Sequence, residues 1–229
     1  MQFTDIFDKL DLFAIWYFLA SWLVFSIVTD ISRLKTRSIS HSMNQQRRKW
    51  MQVMAGRELR MVDTSIIAGL QHGTAFFASS CLLAIGGCFA LMGSIGQLTE
   101  MYHEFDAFKD ILSANLEIKL LGLTAIFGYS FFKFGWAYRL FNYCSIIIGA
   151  TPQGEDADKQ EIADQIEKAS ELNILGGKHF NSGLRGIFFG LGYIGWFVGP
   201  LMFVASTTLV VAVMIRRQFF SKATATVQT

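Results

Sequence analysis

Residues 65–95 read SIIAGLQHGTAFFASSCLLAIGGCFALMGSI, and no Asp, Glu, Lys or Arg interrupts them. A helix needs about 20 apolar residues to cross a bilayer core of roughly 30 Å, and this run exceeds that length. Hydrocarbon offers no water to backbone N–H and C=O groups, so such a segment must pair them within itself, as a helix. Residues 10–28, 120–150 and 186–215 are apolar stretches of the same kind. The sequence therefore predicts an all-α integral membrane protein with four transmembrane helices, in one domain over residues 1–229. Composition agrees: 52% of the 229 residues are hydrophobic, 17% are charged, and the mean hydropathy is +0.37. Little chain is left for a soluble catalytic domain.

The net charge of +2 hides an asymmetry. The loop at residues 29–64 carries Arg33, Lys35, Arg37, Arg47, Arg48, Lys49, Arg57 and Arg60, whereas residues 96–118 are acidic. Basic loops stay inside. This rule places loops 29–64 and 151–185 in the cytoplasm and both termini on the outside. Arg216, Arg217 and Lys222 then fall on the wrong side, a conflict settled here in favour of the heavier first loop. The first ten residues, without a basic start, do not read as a cleavable signal peptide; residues 2–9 read as a short interfacial helix. Cys81, Cys88 and Cys144 all fall within spans and read as reduced packing residues.

Residues 38–63 are expected to form a long basic juxtamembrane helix running straight into the second span. Its Arg47, Arg48, Arg57 and Arg60 are candidates for anionic lipid headgroups. The loop at 151–185 is expected to hold a cytoplasmic amphipathic helix near residues 155–172, ended by Gly176-Gly177. Its acidic face suits the basic loop. Small residues form stripes in three spans: Ala68, Ala75, Ser79, Gly86, Ala90 and Gly93; Gly128, Gly135, Asn142 and Gly149; Gly186, Gly190, Gly195 and Gly199. Such stripes let helices approach closely. Pro200 after Gly199 predicts a kink, or a hinge, near mid-membrane.

Charge within a span is costly and marks a site or a pair. Arg139 shares a face with Gly135 and Asn142 and is expected to point into the bundle, toward Asp63 or Glu58, in a polar network with Gln71, His72, Asn142 and Asn181. Lys133 lies near the centre of the third span, with no carboxylate at its depth, which favours a cationic cavity. His72 lacks a second histidine at ligand spacing, so no metal is expected, nor any cofactor. The sequence contains no nucleophile elbow, phosphate loop or paired intramembrane carboxylates. A basic segment beside a membrane, with no aromatic–basic module, argues against nucleic acid.

The strings RRKWMQVM (47–54) with Arg57, Arg60 and Asp63, FFAS (76–79), residues 136–150 before Pro152, and FNSGLR (180–185) with Trp196, Phe197 and Pro200 occur together. In them the chain resembles a family of small bacterial inner-membrane proteins, with relatives in plants, known only as a domain of unknown function. The resemblance implies a four-span membrane protein and supplies no reaction. Its motif positions include Arg57, Arg60, Asp63, Arg139, Asn142, Asn181 and Arg185, but not Lys133.

Two functional readings follow. In the first, a homo-oligomeric pore or carrier moves a small anion past Lys133, Arg139 and Arg185, with Gly199-Pro200 as a hinge. In the second, a non-catalytic accessory or scaffold subunit binds anionic lipid or a larger membrane complex. Neither makes the protein an enzyme, and no catalytic residue is assigned.

Overall fold

The computed structural model describes residues 8–32, 36, 38–102, 115–154 and 158–228. The interfacial helix expected at residues 2–9, most of the acidic loop, the start of the loop helix near Glu155, and Arg33, Lys35 and Arg37 therefore lie largely or wholly outside the described residues. All regular structure among the described residues is helical: α1 (Lys9–Asp30), α2 (Ile39–Ala55), α3 (Met61–Tyr102), α4 (Asn115–Ala150), α5 (Lys159–Val198), α6 (Pro200–Phe219) and α7 (Lys222–Gln228). Polar side chains set several starts. Asp8 accepts from the Lys9 N–H at 2.7 Å, Ser38 from His41 at 3.3 Å and Asp158 from Gln160 at 2.9 Å.

Four helices are long and apolar enough to cross a membrane: α1, α3 to Ile95, α4 from Leu116, and α6. The chain is thus a multi-pass membrane protein. Its fourth candidate span is Pro200–Phe219 rather than the 186–215 of the sequence reading. The expected kink at Gly199-Pro200 is a full reversal. Residues 192 and 207 of one straight helix would lie about 22 Å apart. Here Ser206 Oγ donates to the Gly192 carbonyl at 2.6 Å, and the Trp196 and Phe203 rings stack 5.4 Å apart. Gly199 has φ 157° and ψ 167°, a region open essentially to glycine, and Pro200 pre-sets the first turn of α6.

This hairpin overturns the expected side of the C-terminus. Gln218 donates to Ser40 Oγ at 3.0 Å, and α7 packs on α2, so the chain ends beside the basic segment while α1 begins at the opposite end. The misplaced charges Arg216, Arg217 and Lys222 thereby join the other basic residues.

Helix lengths divide the molecule into two tiers. The 22 residues of α1 and 20 of α6 span about 30–33 Å, one bilayer core, whereas the 36–42 residues of α3, α4 and α5 span about 54–63 Å. The cores divide in the same way. One joins Phe18 and Phe25 of α1, Leu123 and Ile126 of α4, Phe189 and Trp196 of α5 and Phe203 of α6. The other joins Met51 and Met54 of α2, Ile67 of α3, Phe141 and Ile148 of α4 and Ala169 of α5. The first contains both bilayer-length helices, α1 and α6, and is termed the membrane tier. The second replaces α1 and α6 with α2.

Both tiers hang on the antiparallel α4–α5 seam. Phe127, Phe134 and Phe141 of α4 recur every seven residues, and so do Gly176, Gly183 and Gly190 of α5. A Cβ added at Gly176 would lie 2.7 Å from the Phe141 ring, at Gly183 2.8 Å from Phe134, and at Gly190 3.6 Å from Phe127. Gly176 and Gly183 are seats for aromatic knobs at a heptad spacing, and Gly190 continues the same face in looser contact with Ile126 and Phe127. For that reason Gly176-Gly177 do not end the loop helix; α5 runs through them into the membrane tier. The expected continuity of residues 38–63 fails as well. A break at residues 56–60 separates α2 from α3, so α2 folds back on α5.

Of the three small-residue stripes, the chain itself fills only the one in α5. Gly86 and Gly93 of α3, and Gly128, Gly135 and Gly149 of α4, face open space. A paired substitution separates these environments. Gly183→Ala should destabilise by about 1–3 kcal/mol through overpacking against Phe134. Gly135→Ala, on the open stripe, should stay within about 0.5 kcal/mol of wild type. Thermal unfolding in one detergent reads both; equal losses would mean that the seam is not as described.

Candidate functional site

The polar residues picked out in the sequence gather mainly in the second tier, and most act as fasteners. Asp63, in the first turn of α3, is fully buried. Its Oδ1 accepts from Trp50 Nε1 at 2.7 Å and from the Arg57 guanidinium at 2.6 Å, so one carboxylate closes the break between α2 and α3. Its Oδ2 and Arg60 Nε are buried without a hydrogen-bond partner. Arg60 reaches across to the end of α4 and donates to the carbonyls of Ile148 and Thr151, both at 2.7 Å, and of Pro152 at 3.3 Å. These are the carbonyls a helix C-terminus leaves unpaired, and a cation is favoured there. Gln153 Nε2 donates to the Glu58 carbonyl at 3.4 Å, and the Glu58 side chain is exposed.

Arg47 and Arg48 tie α2 to α5. Arg47 lies where a side chain on Gly177 would sit, 2.8 Å from a Cβ placed there, and donates to the Asn173 carbonyl at 2.9 Å and to Asn173 Oδ1. Asn173 in turn donates to Cys144 Sγ at 3.8 Å. Burial pushes Arg47 below the ordinary arginine value, and nearby Cys144 partly offsets this. Arg48 pairs with Glu167 at 3.0 Å and with Glu171, and the hydrogen bond to Glu167 chiefly holds its pKa above the usual value. The acidic face of the loop helix does meet the basic segment. None of the four arginines proposed for lipid headgroups stands free: each is engaged within the chain.

The expected network around Arg139 does not form. Arg139 lies on the outer surface of α4, donates to the Tyr143 hydroxyl at 2.6 Å, and rests 5.8 Å over the Trp136 ring. Its stripe faces outward because Phe134, Ala137 and Phe141 occupy the buried face, and Asn142 is exposed with it. Gln71 is half-buried and His72 exposed, and no hydrogen bond joins either to Asp63 among the described residues. Asn181 donates to Ser40 Oγ at 3.4 Å.

Arg185 makes a two-pronged bond to Asp30, at 2.9 and 3.0 Å, fixing the last residue of α1 to α5. This pair marks the rim of the membrane tier. Lys133, between Ser130 opposite Gly186 and Phe134 opposite Gly183, lies at the same level, with its amine 5.3 Å over the Tyr129 ring. The mid-membrane position expected for Lys133 came from counting along α4, half of which extends past the ends of α1 and α6. Lys133, Arg139 and Arg185 each have a partner of their own: the Tyr129 ring, the Tyr143 hydroxyl and Asp30. At the opposite end, Trp196 Nε1 donates to Asp11 at 2.6 Å while Lys119 Nζ donates to the Trp196 carbonyl at 3.1 Å. Among the described residues, no group of three or more His, Cys, Asp or Glu is placed to hold a metal ion.

A family model described as "Protein of unknown function, DUF599" matches residues 13–223. The chain belongs to the DUF599 family. That match runs through both tiers and every residue of the clusters above except Asp11. No curated protein and no solved structure matches the chain.

The sequence reading of this DUF599 chain missed Trp50, Asn173 and Asp30 as partners. Asp30 was legible as the acid ending an apolar stretch; the roles of Trp50 and Asn173 depend on α2 folding back. Asp63→Ala should cost about 1–3 kcal/mol, since it strands buried donors, a fall in Tm of roughly 3–10 °C. Arg139→Ala should add to it independently, within about 0.5 kcal/mol. Coupling well beyond that in the double variant would restore the Arg139–Asp63 pair.

Proposed function

We propose that this protein is a non-catalytic, self-associating membrane scaffold. The observation that carries this reading is the outer face of α3 and α4. Met61, Val62, Ile66, Phe76, Trp136 and Ile146 expose 44–74% of their surface in the second tier, beyond the length that α1 and α6 span. Apolar surface of that extent, in a segment longer than the bilayer, calls for a covering partner. The opposite face, on α2 and α5, carries Arg48, Glu167 and other charges.

A second copy of the chain suits the α3–α4 face. It offers holes at Gly69, Gly73 and Gly135, each with open space above it, beside knobs at Phe76 and Trp136. A surface bearing both suits a two-fold, self-complementary contact. The basic end, now including Arg216, Arg217 and Lys222, would face the cytoplasm, with the start of α1 outside.

The rival anion-carrier reading assigned its pathway to Lys133, Arg139 and Arg185. Its support weakens because the three cations have separate partners. The centre of the bundle is filled by Phe134, Phe141, Phe189 and Phe203, each no more than 1% exposed.

Particle mass in native nanodiscs tests the proposal. The expected result is a dimer or higher assembly that becomes monomeric in a Gly73→Leu/Gly135→Leu variant of unchanged helical content. A monomeric wild type sinks the proposal. In liposomes, chloride flux should match protein-free vesicles; flux abolished by Lys133→Ala and Arg139→Ala would return the carrier to first place.

A further inference from the structure

At the rim of the membrane tier a cleft of about 350 Å³ opens between α1, α5 and α6. A second cavity of about 440 Å³, toward α2, shares Thr29, Asp30, Ser40 and Lys178 with it. The level is informative. Asp30 ends α1, and Arg217 and Gln218 lie in the last turn of α6, so the cleft sits where the two bilayer-length helices end. Headgroups lie at that depth.

The cleft is polarised. Its deeper wall, toward the membrane core, is Phe25, Phe188 and Met214, and its outer wall carries Lys178 and Arg217. Its charged lining is three cations, Lys178, Arg185 and Arg217, against one carboxylate, Asp30. The Arg185–Asp30 pair is internally neutral, which leaves two positive charges. Neither Lys178 nor Arg217 forms an ion pair among the described residues. Arg217 is held 5.5 Å over the Phe188 ring, so its cation stands at the junction of polar and apolar walls. Ser40 and Gln218, already bonded to each other, add hydroxyl and amide groups beside them.

We propose that this cleft seats one anionic phospholipid, with its phosphate between Lys178 and Arg217 and its first acyl carbons against Phe188 and Met214. An anionic head directly above an apolar tail matches the order of the walls, whereas a free phosphate would use only the outer one. Basic side chains at a membrane surface attract acidic lipids, and a fixed pair converts that attraction into a site. The site shares no residue with the arginines that bind α2 to α3 and α5, nor with the α3–α4 face, so it stands whether or not the protein self-associates.

The test uses the full chain, delipidated in a mild detergent and titrated with phosphatidylglycerol, phosphatidylcholine or inorganic phosphate, with bound lipid counted by native mass spectrometry and Tm followed in parallel. Saturable retention of one phosphatidylglycerol per chain is expected, with a rise in Tm that phosphatidylcholine and phosphate do not give. Lys178→Ala/Arg217→Ala should weaken retention about tenfold. Arg216→Ala/Lys222→Ala removes the same charge from exposed positions outside the cleft and should leave retention unchanged. Both pairs are exposed, and helical content verifies that each variant folds. Equal loss in the two double variants, non-saturable uptake, or an equal response to inorganic phosphate would each overturn the proposal.

Discussion

The seating of phenylalanine rings on glycines along the α4–α5 seam is the contact on which the remaining architecture depends. Lipid is as apolar as a leucine side chain, so helices in a bilayer gain little by merely hiding apolar surface and must gain from close packing. Gly176 and Gly183 let α5 approach α4 until Phe141 and Phe134 fill the gap. Because the seam is longer than a bilayer, it organises both tiers. At one end α1 and α6 complete the core around Phe189 and Phe203; at the other α2 completes it around Met51 and Met54.

Polar groups then fix what packing leaves loose. Asp63 holds the break between α2 and α3, Arg60 the end of α4, Arg47 and Arg48 the approach of α2 to α5, and Asp30 with Arg185 the end of α1. Each joins two helices, or a helix end and its neighbour, at a defined place. An unpaired buried charge is expensive, so such pairs favour one arrangement strongly over its alternatives. The basic segment is thereby largely spent on internal bonds, while Lys178 and Arg217, which form no ion pair among the described residues, stand at the membrane rim.

Much of this was legible in the sequence, for reasons that differ by residue. Apolar runs along α1, α3 and α4 announce themselves because their outward as well as their buried positions are apolar. The second half of α5 is harder to read, since a helix enclosed by its neighbours can carry glycines and Arg185 without meeting lipid. Merging it with α6 produced a single span, reversed the side of the C-terminus and created the conflict over Arg216 and Arg217. Glycine stripes were visible in three helices, but which are filled depends on the neighbour, and the stripe glycines of α3 and α4 face open space while Gly186 and Gly195 of α5 are filled by Ser130 and Ser206. Arg139 was assigned inward because it shares a stripe with Gly135; the face that Phe134 and Phe141 share was the buried one.

What the sequence by itself determined is the chemistry of each segment: which stretches suit a bilayer, where charge accumulates, and that acidic and basic segments on one side would meet, as Arg48 and Glu167 do. Hydropathy and charge are sums over neighbouring residues, so they are readable without a fold. Only the tertiary structure decided depth and partnership: that Lys133 lies at a rim, that Arg47 is buried against Asn173, and that Gly199 reverses the chain. Those are relations between residues far apart in the chain. They exist only once the α4–α5 seam has set one helix against another.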